Sequence, residues 1–141
     1  MSNLINLIYA SSAVSEMPND DLLQLLTQAR EKNSRLDITG MLLYKGGNFL
    51  QVLEGDRQVV EDLYLVIEKD PRHHQSVIIL KRPVTERSFS EWSMGFLQLD
   101  NIDPATVPGY TPFLNYSFSS EKFKDENFAY TFLRVFKKNL R

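Results

Sequence analysis

Asn48-Phe49-Leu50-Gln51-Val52-Leu53-Glu54-Gly55 reads as a short strand, apolar almost throughout, with a glutamine in its middle. An amide buried without partners is costly, so a stable fold gives Gln51 hydrogen bonds. The amide donates from one end, accepts from the other, and exchanges the two by rotating. Just upstream, Lys45-Gly46-Gly47 separates this strand from Ile38–Tyr44 and predicts a β-hairpin. The first apolar run, Leu4-Ile5-Asn6-Leu7-Ile8-Tyr9, also ends on a polar group. Two polar side chains set in apolar strands imply something between them to bond to.

Further out, Leu4–Ser11 is the first strand. Asn19-Asp20-Asp21 predicts a cap and an acidic first turn, and Leu22, Leu25, Leu26 and Ala29 then recur at helical spacing to about Asn33. Gly55-Asp56 breaks the glutamine strand and caps a second helix. Its buried stripe is Val59, Val60, Leu63, Tyr64 and Ile67, and Pro71 stops it. Val77-Ile78-Ile79-Leu80 reads as a strand of the centrally buried type, and Trp92–Leu99 as a fifth strand. The order β-α-β-β-α-β-β is that of the split-βαβ, ferredoxin-like α+β plan.

Alternation puts Ile5, Leu7 and Tyr9 on one side of the sheet and Ile8 and Ala10 on the other. Phe49, Gln51 and Leu53 likewise oppose Leu50 and Val52. Both faces are therefore apolar. The two helices cover one face; the C-terminal third or another chain must cover the second. From Asn101 to Pro112 the chain reads as a loop, and Glu126 to Leu140 as a helix with Phe128, Phe132, Val135 and Phe136 on one stripe. The expected organisation is a domain over residues 1–100 and a C-terminal helical extension over 101–141 that caps the second face or serves as an output element.

Composition narrows the function. The chain has 141 residues, the length of one domain with a single core. A net charge of −2 and a pI near 5.7 give no electrostatic footprint for nucleic acid. The absence of cysteine excludes disulfides, thiol catalysis and cysteine-ligated metal. The N-terminus enters a strand at once, without a basic n-region or a long apolar run. The expectation is no signal peptide, no membrane span and a cytoplasmic location.

Few residues offer chemistry. Asn33 suits a helix-end cap. His73 and His74 are adjacent at the start of a strand, so they point to opposite faces and make a poor metal pair. Trp92 and Met94 share a face and suit core packing. Ser11 and Ser12 lack a nucleophile elbow, and no phosphate-loop motif or acid–base carboxylate pair occurs. As an enzyme the chain looks poor.

Taken in order, Tyr9, Asn33 six residues before Thr39 in Asp37-Ile38-Thr39-Gly40, Gln51 within Phe49-Leu50-Gln51-Val52-Leu53-Glu54-Gly55, Asp70-Pro71-Arg72-His73, and Trp92-Ser93-Met94 resemble a BLUF domain, a sensor of blue light using FAD. The resemblance covers about residues 2–100, and the rest is similar to the helical extension of short, stand-alone members. Two positions depart from the usual pattern: Lys32 stands where a second Asn is common, and Asp37 where Gly is.

The resemblance implies a flavin between the two helices, with Tyr9 as electron and proton donor and Gln51 bonding both Tyr9 and the flavin. It implies further that Asn33, Arg72, His73 and Met94 contact the flavin, and that Trp92 and Met94 relay the change in Gln51. FAD is the expected cofactor, with FMN or riboflavin as substitutes. The expected partners are a downstream signalling protein and further copies of the chain as a homo-oligomer, without nucleic acid or membrane. Two rivals are a non-photoactive protein-interaction or assembly module of the same fold, and a small enzyme. An acylphosphatase-like enzyme would need a glycine and an arginine after strand one, and Ala10-Ser11-Ser12-Ala13-Val14 supplies neither.

Overall fold

The computed structural model describes residues 3–15, 17–90, 93–98 and 131. Its elements run β1 (Leu4–Ala13), α1 (Asn19–Leu36), β2 (Thr39–Lys45), β3 (Asn48–Asp56), α2 (Arg57–Glu68), β4 (His73–Pro83) and β5 (Gly95–Gln98). They form one sheet in the order β4-β1-β3-β2-β5. The first four neighbours pair antiparallel and β5 joins parallel to β2. This is the ferredoxin-like plan with a fifth strand appended. It puts β3, the glutamine strand, at the centre of the sheet.

The hairpin forms as its glycines require. Gly46 and Gly47 have φ of 56° and 80°, the pair of positive values that a two-residue type I′ turn demands. Gly40 answers a different need. A Cβ there would lie 2.0 Å from the Val52 carbonyl oxygen, so only hydrogen fits between β2 and β3. Gly40→Ala is expected to cost about 3 kcal/mol, because the obstacle is backbone that cannot yield without breaking the ladder. A urea melt within about 1 kcal/mol of wild type would overturn this reading.

Both helix ends of α1 differ from expectation. Its N-cap is Pro18 with no side-chain cap, and Asn19 is the first helical residue; Asp20 and Asp21 do occupy the first turn. The helix passes Asn33 and ends at Leu36, where Asp37 adopts the left-handed conformation at φ 55°. A glycine would take that conformation without strain, which explains why Gly suits this place. α2 is capped as expected, with Asp56 Oδ2 accepting from the amides of Gln58 and Val59 at 3.1 and 3.4 Å.

The core under the helices joins Ile5, Leu7 and Tyr9 to Phe49 and Leu53 of the sheet, Leu22 and Leu26 of α1, and Val60, Leu63 and Tyr64 of α2. On the opposite face Ile8, Met41, Leu43, Leu50 and Val52 are also fully buried. The extension expected over residues 101–141 lies outside the described residues, apart from Thr131.

Two strand expectations need correction. Val77–Leu80 is not central: among the described strands β4 lies at the edge, bonded only to β1, and Val77 and Ile78 are 45% and 43% exposed. A register shift between Ile8/Tyr9 breaks its alternation, so an apolar run here reflects a bulge and not burial on both faces. The last described strand begins at Gly95, with Met94 in the bend before it; Trp92 lies outside the described residues.

Candidate functional site

The two helices stand apart over the sheet and leave a cavity of about 290 Å³. Tyr9, Leu42, Phe49 and Gln51 of the sheet form its floor. Leu25, Ala29 and Asn33 of α1 face Leu63, Val66 and Ile67 of α2 across it. Gln28, Lys32, Asp70, Arg72 and His73 also line it. The walls are apolar, and a few amide and hydroxyl groups supply direction, the usual make-up of a small-molecule site.

Register places the central pair. Tyr9 of β1 lies directly opposite Gln51 of β3, and Leu42 of β2 flanks Gln51 on the other side. With a period of two, direct partners share a face. The Tyr9 hydroxyl donates to Gln51 Oε1. The other end of the amide, Nε2, points at Met94 Sδ, 3.4 Å away. Sulfur is a weak acceptor, so this end of the amide is only lightly held.

The phenol is held from the side as well. The rings of Tyr9 and Tyr64 meet edge to face at 5.2 Å, and the Tyr64 hydroxyl bonds Ser76 Oγ. Burial, then the nearby Tyr64 and Asp70, pushes the Tyr9 phenol far above its ordinary value of 10.0. It therefore stays neutral and able to donate. The sign for stability follows: the folded state holds this proton more tightly, so the contribution is complete below about pH 10 and declines as pH rises beyond it.

The remaining predicted residues gather around this pair. Asn33 is buried in the last turn of α1, and its Nδ2 donates to the Ser93 carbonyl at 3.1 Å. Arg30 Nε donates to the Met94 carbonyl at 2.9 Å, so α1 holds the segment 93–94 at two points. Arg72 forms an ion pair with Asp70, and its Nη1 reaches Gln28 Oε1 on α1 at 3.3 Å. Its hydrogen bonds hold the Asp70 carboxyl below the usual range. His73 Nε2 bonds the Ile67 carbonyl at the end of α2, and its ring meets Phe49 edge to face. Tyr9, Asn33, Gln51, Arg72 and His73 thus line one cavity, and Met94 touches Gln51.

Sequence reasoning passed over Ser11, Gln28 and Lys32 as cavity residues. Ser11 was legible: it shares the parity of Tyr9 on β1. Gln28 lies three residues after Leu25, Lys32 three after Ala29, and the two are four apart, so they belong to the same side of α1.

A sheet-floored slot between two helices, with a neutral phenol and amides at its base, is a site for a flat heteroaromatic cofactor with polar edges. The BLUF family model, sensors of blue-light using FAD, matches residues 4–95, and the chain belongs to that family. It carries a blue-light sensor domain of the FAD-using kind. Over 94 residues it is 40% identical to the photoactivated adenylate cyclase subunit beta of Euglena longa, covering 66% of this chain and 11% of that protein. Over 96 residues it is 33% identical to the blue light- and temperature-regulated antirepressor BluF of Escherichia coli (strain K12), covering 68% of this chain and 24% of that protein. The chain thus spans about a tenth to a quarter of the length of these curated relatives. The dark-state structure of BlrB, a BLUF protein, matches with a TM-score of 0.82 at 28% identity, over 99% of both chains. No described helix is long and apolar enough to cross a membrane.

Proposed function

We propose that light sensing here is a hydrogen-bond switch centred on Tyr9 and Gln51, passed to a downstream protein partner. The observation that carries the reading is the Tyr9 hydroxyl donating to Gln51 Oε1 at the floor of the cavity. The residues fit a flavin: apolar walls for a flat ring, Asn33 and Gln51 for its polar edge, Lys32 and Arg72 as cations for its anionic part. When bound, flavin supplies a chromophore for blue light and a strong oxidant once excited.

Tyr9, neutral and buried, would give its electron to that excited oxidant and its hydroxyl proton to Gln51 Oε1. Gln51 Oε1 is the acceptor at hand, so the amide passes through a state in which its donor and acceptor ends can exchange. Electron and proton then return to Tyr9, and no net reaction occurs. A hydrogen bond contributes only about 1 kcal/mol net, so two amide arrangements lie close in energy and one can persist for a time. Turning Gln51 changes what Met94 Sδ meets, and Met94 is tied through its carbonyl to α1. Met94 and Trp92 are the proposed relay, and the segment 101–141 the proposed output element. The antirepressor relative supports a protein partner as the recipient.

The test is an absorption spectrum of the FAD-loaded protein in the dark and after blue illumination. Wild type is expected to shift slightly to the red and relax in darkness. Tyr9→Phe is expected to bind FAD, stay yellow, and lose the normal photocycle. A normal photocycle in Tyr9→Phe would refute the Tyr9 role, and a colourless protein after FAD reconstitution would favour an assembly module.

A further inference from the structure

Several polar groups around the cavity are already partnered; among the described residues, the buried Ser11 hydroxyl is not. Tyr9, Gln51 and Asn33 each make a hydrogen bond within the protein. Ser11 is different. It lies two residues beyond Tyr9 on β1, on the same face, roughly 7 Å along the strand. The residue is 4% exposed, it lines the cavity, and its Oγ has no hydrogen-bond partner among the described residues. Its neighbour Ser12, on the opposite face, shows the ordinary outcome: Oγ donates to Asn48 Oδ1 at 2.7 Å.

The backbone around Ser11 is also irregular. Ala10 pairs with Val77 of β4 and Ser12 with His74, so the pairing skips at Ser11. The extra residue falls on β4, where Gln75 takes φ of 56°. Bulges of this kind recur beside functional sites, while β1 itself keeps its register with β3 through Ser11. Phe49 lies opposite Ser11 on β3, and the Phe49 ring meets that of His73. A hydroxyl buried without a partner is destabilising, and native proteins keep few of them. Ser11 lines the cavity, and a ligand held there can supply the partner that its Oγ lacks.

We propose that Ser11 is a flavin-binding residue, its hydroxyl bonding a polar ring atom other than those served by Gln51 and Asn33. The inference rests on the flavin reading above and adds a point of attachment beyond the Gln51 and Asn33 amides, one strand repeat from the Tyr9–Gln51 pair. An attachment on β1, set apart from those two amides, further restricts the ring's rotation in its slot. Ser11 is then a positioning residue for the photochemistry as well as a source of affinity.

The test uses the full chain, melted with and without saturating FAD, together with FAD titrations. Ser11→Ala is expected to raise the FAD dissociation constant about five- to tenfold, the value of one hydrogen bond. Without FAD, the same variant is expected to melt at the wild-type temperature or above, since it removes an unsatisfied hydroxyl. These effects have opposite signs, which no purely structural hydroxyl would produce. Ser11→Thr, which keeps the hydroxyl on a strand-favouring side chain, is expected to restore affinity. Wild-type affinity in Ser11→Ala, or a fall in FAD-free melting temperature alongside the loss of affinity, would overturn the proposal. Failure of the wild type itself to bind FAD would strike the flavin reading instead, and the proposal with it.

Discussion

Gln51→Leu is expected to bind FAD, show an ordinary dark flavin spectrum, and form no red-shifted state under blue light. Leucine matches the volume of the amide and keeps the floor of the cavity closed. It can neither accept from Tyr9 nor donate toward Met94, so both hydrogen bonds recorded at this residue go. The Tyr9 hydroxyl then loses its acceptor, at about 1–3 kcal/mol, partly offset by the apolar gain from leucine. Stability should thus change by no more than about 2 kcal/mol while the spectral response falls below detection. Tyr9 can still lose an electron in this variant, and flavin fluorescence is expected to remain quenched relative to a variant lacking both Tyr9 and Gln51. A red shift of wild-type size in Gln51→Leu would move the switch away from the amide altogether. Rotation of Asn33 would then be the next candidate, since its amide lines the same cavity.

That Tyr9 and Gln51 meet was legible because strand geometry has a period of two. The shared face followed from counting. The register that sets them directly opposite follows from the hairpin and the crossover, which are tertiary facts. The limits of sequence reading appear at three places. β4 reads as a central strand because Val77-Ile78-Ile79-Leu80 is uniformly apolar, and a bulge produces the same string as burial on both faces. The end of α1 is hidden because Asp37 takes a conformation that its residue type does not announce. The cavity-facing set on β1 stops at Tyr9 in a reading that follows apolar residues, although Ser11 continues the same parity. The same bias hides Glu54. Leu50 and Val52 define the second face as apolar, and the next residue on that face is a buried carboxylate.

Glu54→Leu is expected to lower the stability of the chain by about 3 kcal/mol. Glu54 is fully buried on the face of β3 away from the flavin site. Its Oε1 accepts from the Phe89 amide at 2.7 Å, and its Oε2 from the Ser88 amide at 2.8 Å and Asn6 Nδ2 at 3.1 Å. Arg87, next in the chain, donates to the Glu54 carbonyl, to Thr39 Oγ1 and to the Asp37 carbonyl at the end of α1. The Glu54 side chain, with Arg87 beside it, thus fastens residues 87–89, midway along the connection to β5, onto the centre of the sheet. Replacing a buried ion pair by hydrocarbon is often neutral, because both partners disappear. Here the partners are mainly backbone amides, which remain whatever the side chain becomes. Taking the acceptor from two amides and one carboxamide costs about 1–3 kcal/mol each, against about 2 kcal/mol regained by burying leucine. For a chain of this size the loss amounts to roughly 10 °C in melting temperature. Since the connection leads within a few residues to Met94, the dark recovery rate is expected to change too, while FAD affinity stays within about twofold of wild type. A melting temperature within about 2 °C of wild type would show that residues 87–89 hold their place without the carboxylate, and would break the mechanical link drawn here between the back of the sheet and the switch.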